Sequence, residues 1–223
     1  MTRSDRGSAE PEETGGKSPR TKAPAAARPL TAQRIRNIAE HYVGSRESSA
    51  QMLRAVLERR LQRRLRGLDP EAAAEERAAA LPLIEAEVTR LETAGLIQDA
   101  RFAGMKARAA LASGRGARRI LRDLGQKGVA EGTARAALLE AAREALGDHD
   151  SASEPSEVLG AAELETAESF ARKKRLGPYR RDPLPEPWSE RSKVWRREAG
   201  AMARAGFGVD VIRRVLDREP EPE

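Results

Sequence analysis

Gly116-Ala117-Arg118-Arg119-Ile120-Leu121-Arg122-Asp123-Leu124-Gly125-Gln126-Lys127-Gly128-Val129 reads as one short helix with its stop attached. Ile120, Leu121 and Leu124 supply an apolar flank at helical spacing, and Gly128 supplies the break. The same plan recurs 78 positions later. There Arg118-Arg119 falls on Arg196-Arg197, Leu124 on Met202, Gly128-Val129 on Gly206-Phe207, Ala134 on Ile212, and Ala137-Leu138 on Val215-Leu216. A shift of 67 places Ser49, Ala50, Leu53 and Leu57 on Gly116, Ala117, Ile120 and Leu124, which adds an earlier copy with longer helices. A period of this size means a repeat of supersecondary units, each completing its core against a neighbour.

Working outward, helical stripes flank each copy. Ile35, Ile38, Tyr42 and Val43 form one, and Leu53, Val56, Leu57 and Leu61 a second. Leu81, Ile84, Val88 and Leu91 form a third, opened by Asp69-Pro70 and closed at Gly95, with Pro82 expected as a kink or a second start. Asp99 is expected to cap the next helix, with Phe102, Met105 and Ala109 buried and an end near Ser113-Gly114. Ala134, Ala137, Leu138 and Ala141 then mark a further helix. Asp148 to Glu157 reads as an acidic linker. Leu159, Ala162, Thr166 and Phe170 follow, then a proline-rich loop from Gly177 to Pro187. Trp195, Ala199 and Met202 lie on a helix entered at a Ser189 cap, and Ile212, Val215 and Leu216 on a short last one. The expected fold is all-α: a disordered tail over 1–29, then three tandem three-helix units over 30–94, 95–148 and 149–219, forming an elongated modular protein.

Composition agrees with thin, modular cores. The chain has 223 residues, of which 39% are hydrophobic and 34% charged, with only seven aromatic side chains. That is too little apolar material for one large core. Absence of cysteine excludes disulfides, thiolate nucleophiles and cysteine metal sites. The two histidines, His41 and His149, lie in different units without metal-ligand spacing, so neither a metal, a cofactor nor an enzyme activity is expected. Gly15-Gly16-Lys17-Ser18 resembles the end of a phosphate-binding loop but lacks its first glycine, because Pro11 stands there. No apolar run approaches a membrane span and no signal peptide opens the chain, so a soluble, cytoplasmic protein is expected; a monomer is expected as well, although no residue pattern speaks to the oligomeric state.

Charge is concentrated where the repeat is clearest. Arg101, Lys106, Arg108, Arg115, Arg118, Arg119, Arg122 and Lys127 face only Asp123, a local charge of +7 that exceeds the +6 of the whole chain. Arg115, Arg118, Arg119 and Arg122 recur at i, i+3, i+4 and i+7 and are expected to form a ridge. A second cluster, Arg172-Lys173-Lys174-Arg175 with Arg180-Arg181, ends the third unit's first helix. In the first unit Arg54, Arg59, Arg60, Arg63, Arg64 and Arg66 are expected to be neutralised in large part by Glu71, Glu75, Glu76, Glu85 and Glu87 of its third helix. The remaining basic surface suits a polyanion or an acidic protein; the plain alternative is a set of solvated faces whose arginine stems cover apolar surface.

The junction Gly95-Leu96-Ile97-Gln98-Asp99-Ala100-Arg101-Phe102-Ala103, the Lys127-Gly128-Val129 step and the closing Ala205-Gly206-Phe207-Gly208-Val209 to Leu216 together resemble the RecX family of regulatory proteins over about Leu30 to Leu216. Gln98 departs from that pattern, where an acidic residue is common, and so does the loop from Gly177 to Pro187. The resemblance implies a non-enzymatic modulator of the RecA recombinase that binds the RecA–single-stranded DNA filament, with Gly95, Leu96, Ile97, Asp99, Phe102, Gly128, Gly206 and Phe207 as structural motif residues. A different class stays open on the residues alone: a helix-turn-helix DNA-binding protein, whose recognition helix needs Asn or Gln beside Arg, a role only Gln126 comes near.

Overall fold

The computed structural model describes residues 29–147 and 154–218. The tail lies outside these residues up to position 28, as do the glycine-rich Gly15–Ser18 stretch and His149. The described residues form nine α-helices and no strand. Helices α1 (Ala32–Ser45), α2 (Ala50–Leu65) and α3 (Pro70–Thr93) close around Ile35, Leu53, Leu57, Leu61, Ile84 and Leu91, all fully buried. Thr31, Ser49 and Asp69 start these helices, their side-chain oxygens accepting the N–H groups of Arg34, Met52 and Ala72. α3 is one helix straight through Pro82, so the expected second start is corrected. Pro82 is exposed, which lets water satisfy the carbonyl that its missing N–H would have paired. Ile97, beyond the end of α3, is buried in this first core and closes it.

Helices α4 (Asp99–Ala112), α5 (Ala117–Gly125) and α6 (Glu131–Leu146) share a second core. Its only large ring is Phe102, fully buried among Ala103, Ala107, Leu124, Ala134 and Leu138. The inner face of α4 runs through Phe102, Ala103, Ala107 and Leu111; Met105 is half-buried and Ala109 exposed, contrary to the expected stripe. Alanine fits either side of a helix, so the Ala-rich run leaves its phase undetermined until Leu111 anchors it.

Helices α7 (Pro155–Lys174), α8 (Trp188–Ala205) and α9 (Val209–Leu216) make the third group. α7 begins inside the stretch read as linker, because Pro155 sits in its first turn, where a missing N–H costs nothing. It buries Val158, Ala162, Ala167 and Ala171, while Leu159, Thr166 and Phe170 are half-buried. α8 starts at Trp188 after Pro187, so Ser189 is a helical residue and not its cap. Between α7 and α8 a single 3-10 turn, Gly177–Tyr179, opens the proline-rich loop.

The units meet through a joint that is built twice. Ser49, the N-cap of α2, donates its hydroxyl to the carbonyl of Lys127, just before the stop at Gly128. Gly116, the N-cap of α5, donates its N–H to the carbonyl of Ala205, just before the stop at Gly206, at 2.9 Å. Gly128 and Gly206 have φ of +78° and +101°. At Gly128 a Cβ would collide with the Gln51 side chain, and at Gly206 it would stand 2.7 Å from the backbone nitrogen of Arg119. Both positions therefore require glycine for backbone conformation and for space. Asp99 reinforces the first joint: its carboxylate accepts the N–H of Ala50 at 2.9 Å. It thus caps α2 across the unit boundary, while Gln98 stands at the N-cap of α4 without a side-chain hydrogen bond.

Candidate interaction surface

The ridge read from the sequence divides in two. Arg115 lies in the turn before α5, and it joins Arg119 in gripping Asp123, with N–O separations of 3.3 and 3.6 Å. Arg119 also donates to the carbonyl of Arg204 at 3.2 Å and packs against Gly206, so it is a half-buried part of the second joint. Arg118 and Arg122 are exposed and have no ion pair or hydrogen bond among the described residues. The Arg118 guanidinium extends toward Gly208, the N-cap of α9.

The position of Arg118 is electrostatically costly. It sits in the first turn of α5, a helix with no acidic residue there to offset the positive end of its dipole. A cation at that end costs about 0.3–1 kcal/mol where exposed. Among the described residues no ion pair or hydrogen bond offsets it, although the Glu163 carboxylate flanks the same Gly208.

Beside this face runs a groove of about 460 Å³ between α4 and α5, lined by Lys106, Arg115, Asp123, Gln126 and Lys127. Lys106 stands 5.7 Å from the Phe102 ring centroid, and its stem roofs the core. Two other predicted contact residues are engaged elsewhere. Arg101 pairs with Glu47 of the first unit at 2.9 Å, and Arg108 with Glu144 of α6 at 3.5 Å. Gln126 is the C-cap of α5, exposed and in line with Arg118 and Arg122 at i+8 and i+4.

The second cluster occupies the end of α7. Arg172 stacks over Tyr179 at 5.1 Å, while Lys173, Lys174 and Arg175 are exposed in the last turn and its cap, where cations favour the negative end of the dipole. Arg175 itself adopts φ +57°, a left-handed stop made by a residue other than glycine.

Of the six arginines expected to face α3, Arg54 and Arg64 alone pair with it among the described residues, to Glu85 at 2.6 Å and Glu76 at 3.0 Å. Hydrogen bonding to Arg54 holds the Glu85 carboxyl below the ordinary carboxylate range. The buried Glu87 is met by Arg90 of its own helix and by Arg36 of α1, not by α2. Arg59, Arg60, Arg63 and Arg66 are exposed and have no partner among the described residues, so the expected neutralisation is corrected: their side chains reach solvent and not the acidic helix. Sequence reading assigned no contact role to Trp188, Arg191 or Arg197 around the proline-rich loop, because Arg191 and Arg197 each adjoin an acidic residue in the 190–198 stretch and Trp188 lies on no apolar stripe. Their signal was a tryptophan placed off every apolar stripe.

Among the described residues no group of three or more acidic, histidine or cysteine side chains could hold a metal ion, and no helix is long and apolar enough to cross a membrane. His41 is exposed on α1. The regular furniture of this surface is thus helical and cationic.

Residues 99–138, from the first turn of α4 to the middle of α6, match the model of the second three-helix domain of RecX. The chain is 32% identical over 209 residues to the regulatory protein RecX of Myxococcus xanthus, covering 94% of both proteins. The chain belongs to the RecX family. Its fold is also that of the crystal structure of RecX from Lactobacillus salivarius, at a TM-score of 0.53 and 15% identity, covering 83% of this chain and 94% of that one. RecX is a family of regulatory proteins, and the helical triplets joined at Gly128 and Gly206 are this member's form of it.

Proposed function

We propose that this RecX-family chain is a non-enzymatic regulator of the RecA recombinase. It binds the RecA–single-stranded DNA filament and inhibits its extension, strand exchange and ATP hydrolysis, acting as a cytoplasmic monomer without metal or cofactor. Family membership supports the regulatory role, and one local observation supports the surface: Arg118 and Arg122 are exposed on α5 without partners, Arg118 against the helix dipole. Exposed guanidinium groups that make no ion pair among the described residues are free to meet an external anion. Guanidinium groups offer forked, charge-assisted bonds to carboxylates of a filament groove or to phosphates, and Lys106 and Lys127 extend the same field along the α4–α5 groove.

Geometry supports a bracing action. Three units held by the Ser49–Lys127 and Gly116–Ala205 contacts present their basic residues in a fixed spacing, so little binding free energy goes into ordering the protein. A repeated surface suits a repeating partner. By lying across successive protomers it blocks the next addition and resists the movements that accompany hydrolysis. The helix-turn-helix alternative is less well supported because Gln126, the amide in line with Arg118 and Arg122, stands at the C-cap of α5, whereas a recognition helix reads base edges from its N-terminal residues.

The test is to add the purified chain to preformed RecA filaments, following DNA-dependent ATP hydrolysis beside a measurement of bare DNA binding. Hydrolysis is expected to fall at protein concentrations well below those needed to coat bare DNA. Unchanged hydrolysis at saturating protein would overturn the proposal.

A further inference from the structure

The proline-rich loop and the start of α8 build a surface that the filament reading does not use. Glu198, buried in α8, accepts the Gly177 N–H at 3.0 Å and two bonds from the Arg180 guanidinium at 2.8 and 2.7 Å. This fixes the base of the loop. Beyond it opens a groove of about 990 Å³ whose apolar walls include Pro183, Leu184, Trp188, Trp195 and Leu216. Trp195 is held by its indole N–H, which donates to Asp217 at 2.8 Å. Trp188 is 74% exposed and Leu184 45% exposed. A second groove of about 370 Å³ shares the loop wall from Arg180 to Leu184 and is lined on its far side by Arg175 and Arg197.

The charges along both grooves are asymmetric. Arg175, Arg181, Arg191 and Arg197 have no partner among the described residues. Of the lining carboxylates, Glu198 is occupied by Arg180 and Asp217 by Trp195, so Asp182 alone is unengaged. Unpaired guanidinium groups therefore border an exposed indole. An exposed tryptophan adds nothing to the core, and a planar π face bordered by guanidinium forks suits a chain of anions that also carries planar rings.

We infer that this loop and the first turn of α8 form a stacking site for single-stranded nucleic acid. A base lies on Trp188, and phosphates on either side meet Arg181 and Arg191, with the strand continuing toward Arg197 and Arg175. A duplex hides its base faces within the stack, and an acidic peptide engages the arginines without needing the indole. The site adds to the filament reading and does not depend on it, because its test contains no RecA.

The experiment titrates the full chain with fluorescently labelled oligothymidylate, reading anisotropy together with tryptophan fluorescence. Binding is expected to quench tryptophan emission. Trp188→Ala is expected to weaken binding about five- to a hundredfold, the range of one base stack, while Trp188→Phe stays within a few fold of the parent. Arg181→Ala with Arg191→Ala is expected to make the salt dependence shallower, a result that a purely structural role for these side chains would not produce. Trp188→Ala binding as tightly as the parent, with the same melting temperature, would overturn the inference. So would equal competition by duplex DNA or by polyglutamate, the latter pointing to an acidic protein surface.

Discussion

Replacing Gly206 with alanine probes the joint between the second and third units, and its cost follows from two local facts. At φ +101° an L-residue adopts a left-handed backbone that costs roughly 1–2 kcal/mol. The new Cβ would also stand 2.7 Å from the Arg119 nitrogen and 3.0 Å from the Gly116 carbonyl oxygen, backbone atoms that cannot swing aside. The turn must then move off α5 and stretch the Gly116 N–H to Ala205 carbonyl bond, worth about 0.5–1.5 kcal/mol. Together the expected loss is about 1.5–3.5 kcal/mol. Gly147→Ala is the control: its φ is +65°, but a Cβ there meets nothing within 4 Å, so only the backbone cost of about 1–2 kcal/mol applies. Urea denaturation followed by circular dichroism measures both. Equal losses for the two variants would refute the close joint, whatever their absolute size.

Three further outcomes are expected. Phe102→Ala should destabilise by about 3–5 kcal/mol in the same denaturation assay, since the ring is fully buried in a core otherwise made of alanine and small aliphatic groups. Glu198→Ala should cost about 3–5 kcal/mol by leaving the part-buried Arg180 guanidinium unpaired and freeing the Gly177 N–H, and proteolysis should then cut within residues 177–187. Glu85 has a folded pKa below its unfolded one, so its pairing with Arg54 contributes stability above the ordinary carboxylate range and loses it as pH falls through the folded value. A melting series over roughly pH 6 to 3 should therefore be slightly flatter for Glu85→Gln than for the parent, the effect being small at this exposed pair.

Much of the fold was legible because its signals are local. Gly95, Gly128 and Gly206 mark where helices stop, and the recurrence at 78 positions showed that two of these stops are equivalent. What the recurrence meant in space was not legible: both glycines are also contact points for the preceding unit. Asp99 illustrates the same limit, since its chemistry announces a helix cap but not that the helix is α2, 49 positions earlier. Alanine-rich α4 and α7 carried too little size contrast to set their inner faces, so Ala109 and Thr166 were assigned inward.

The interaction surface was legible as a concentration of charge and illegible as a set of free charges. Spacing put Arg115, Arg118, Arg119 and Arg122 together, yet which of them Asp123 and the second joint consume depends on helix α8 and the turn before α5. Trp188 left only a weak trace, because a single exposed ring belongs to no periodic pattern.

The most direct measurement of the central claim compares the parent with the Arg118→Glu, Arg122→Glu double variant in RecA-dependent ATP hydrolysis on single-stranded DNA. Both side chains are exposed and unpaired, so the variant's stability should stay within about 0.5 kcal/mol of the parent. Arg119 is left untouched because it belongs to the joint. The account predicts that the parent suppresses hydrolysis and that the double variant, equally folded, needs at least tenfold more protein for the same suppression, on the order of 1.4 kcal/mol of lost binding. A folded double variant that suppresses hydrolysis at the parent's concentration would contradict it.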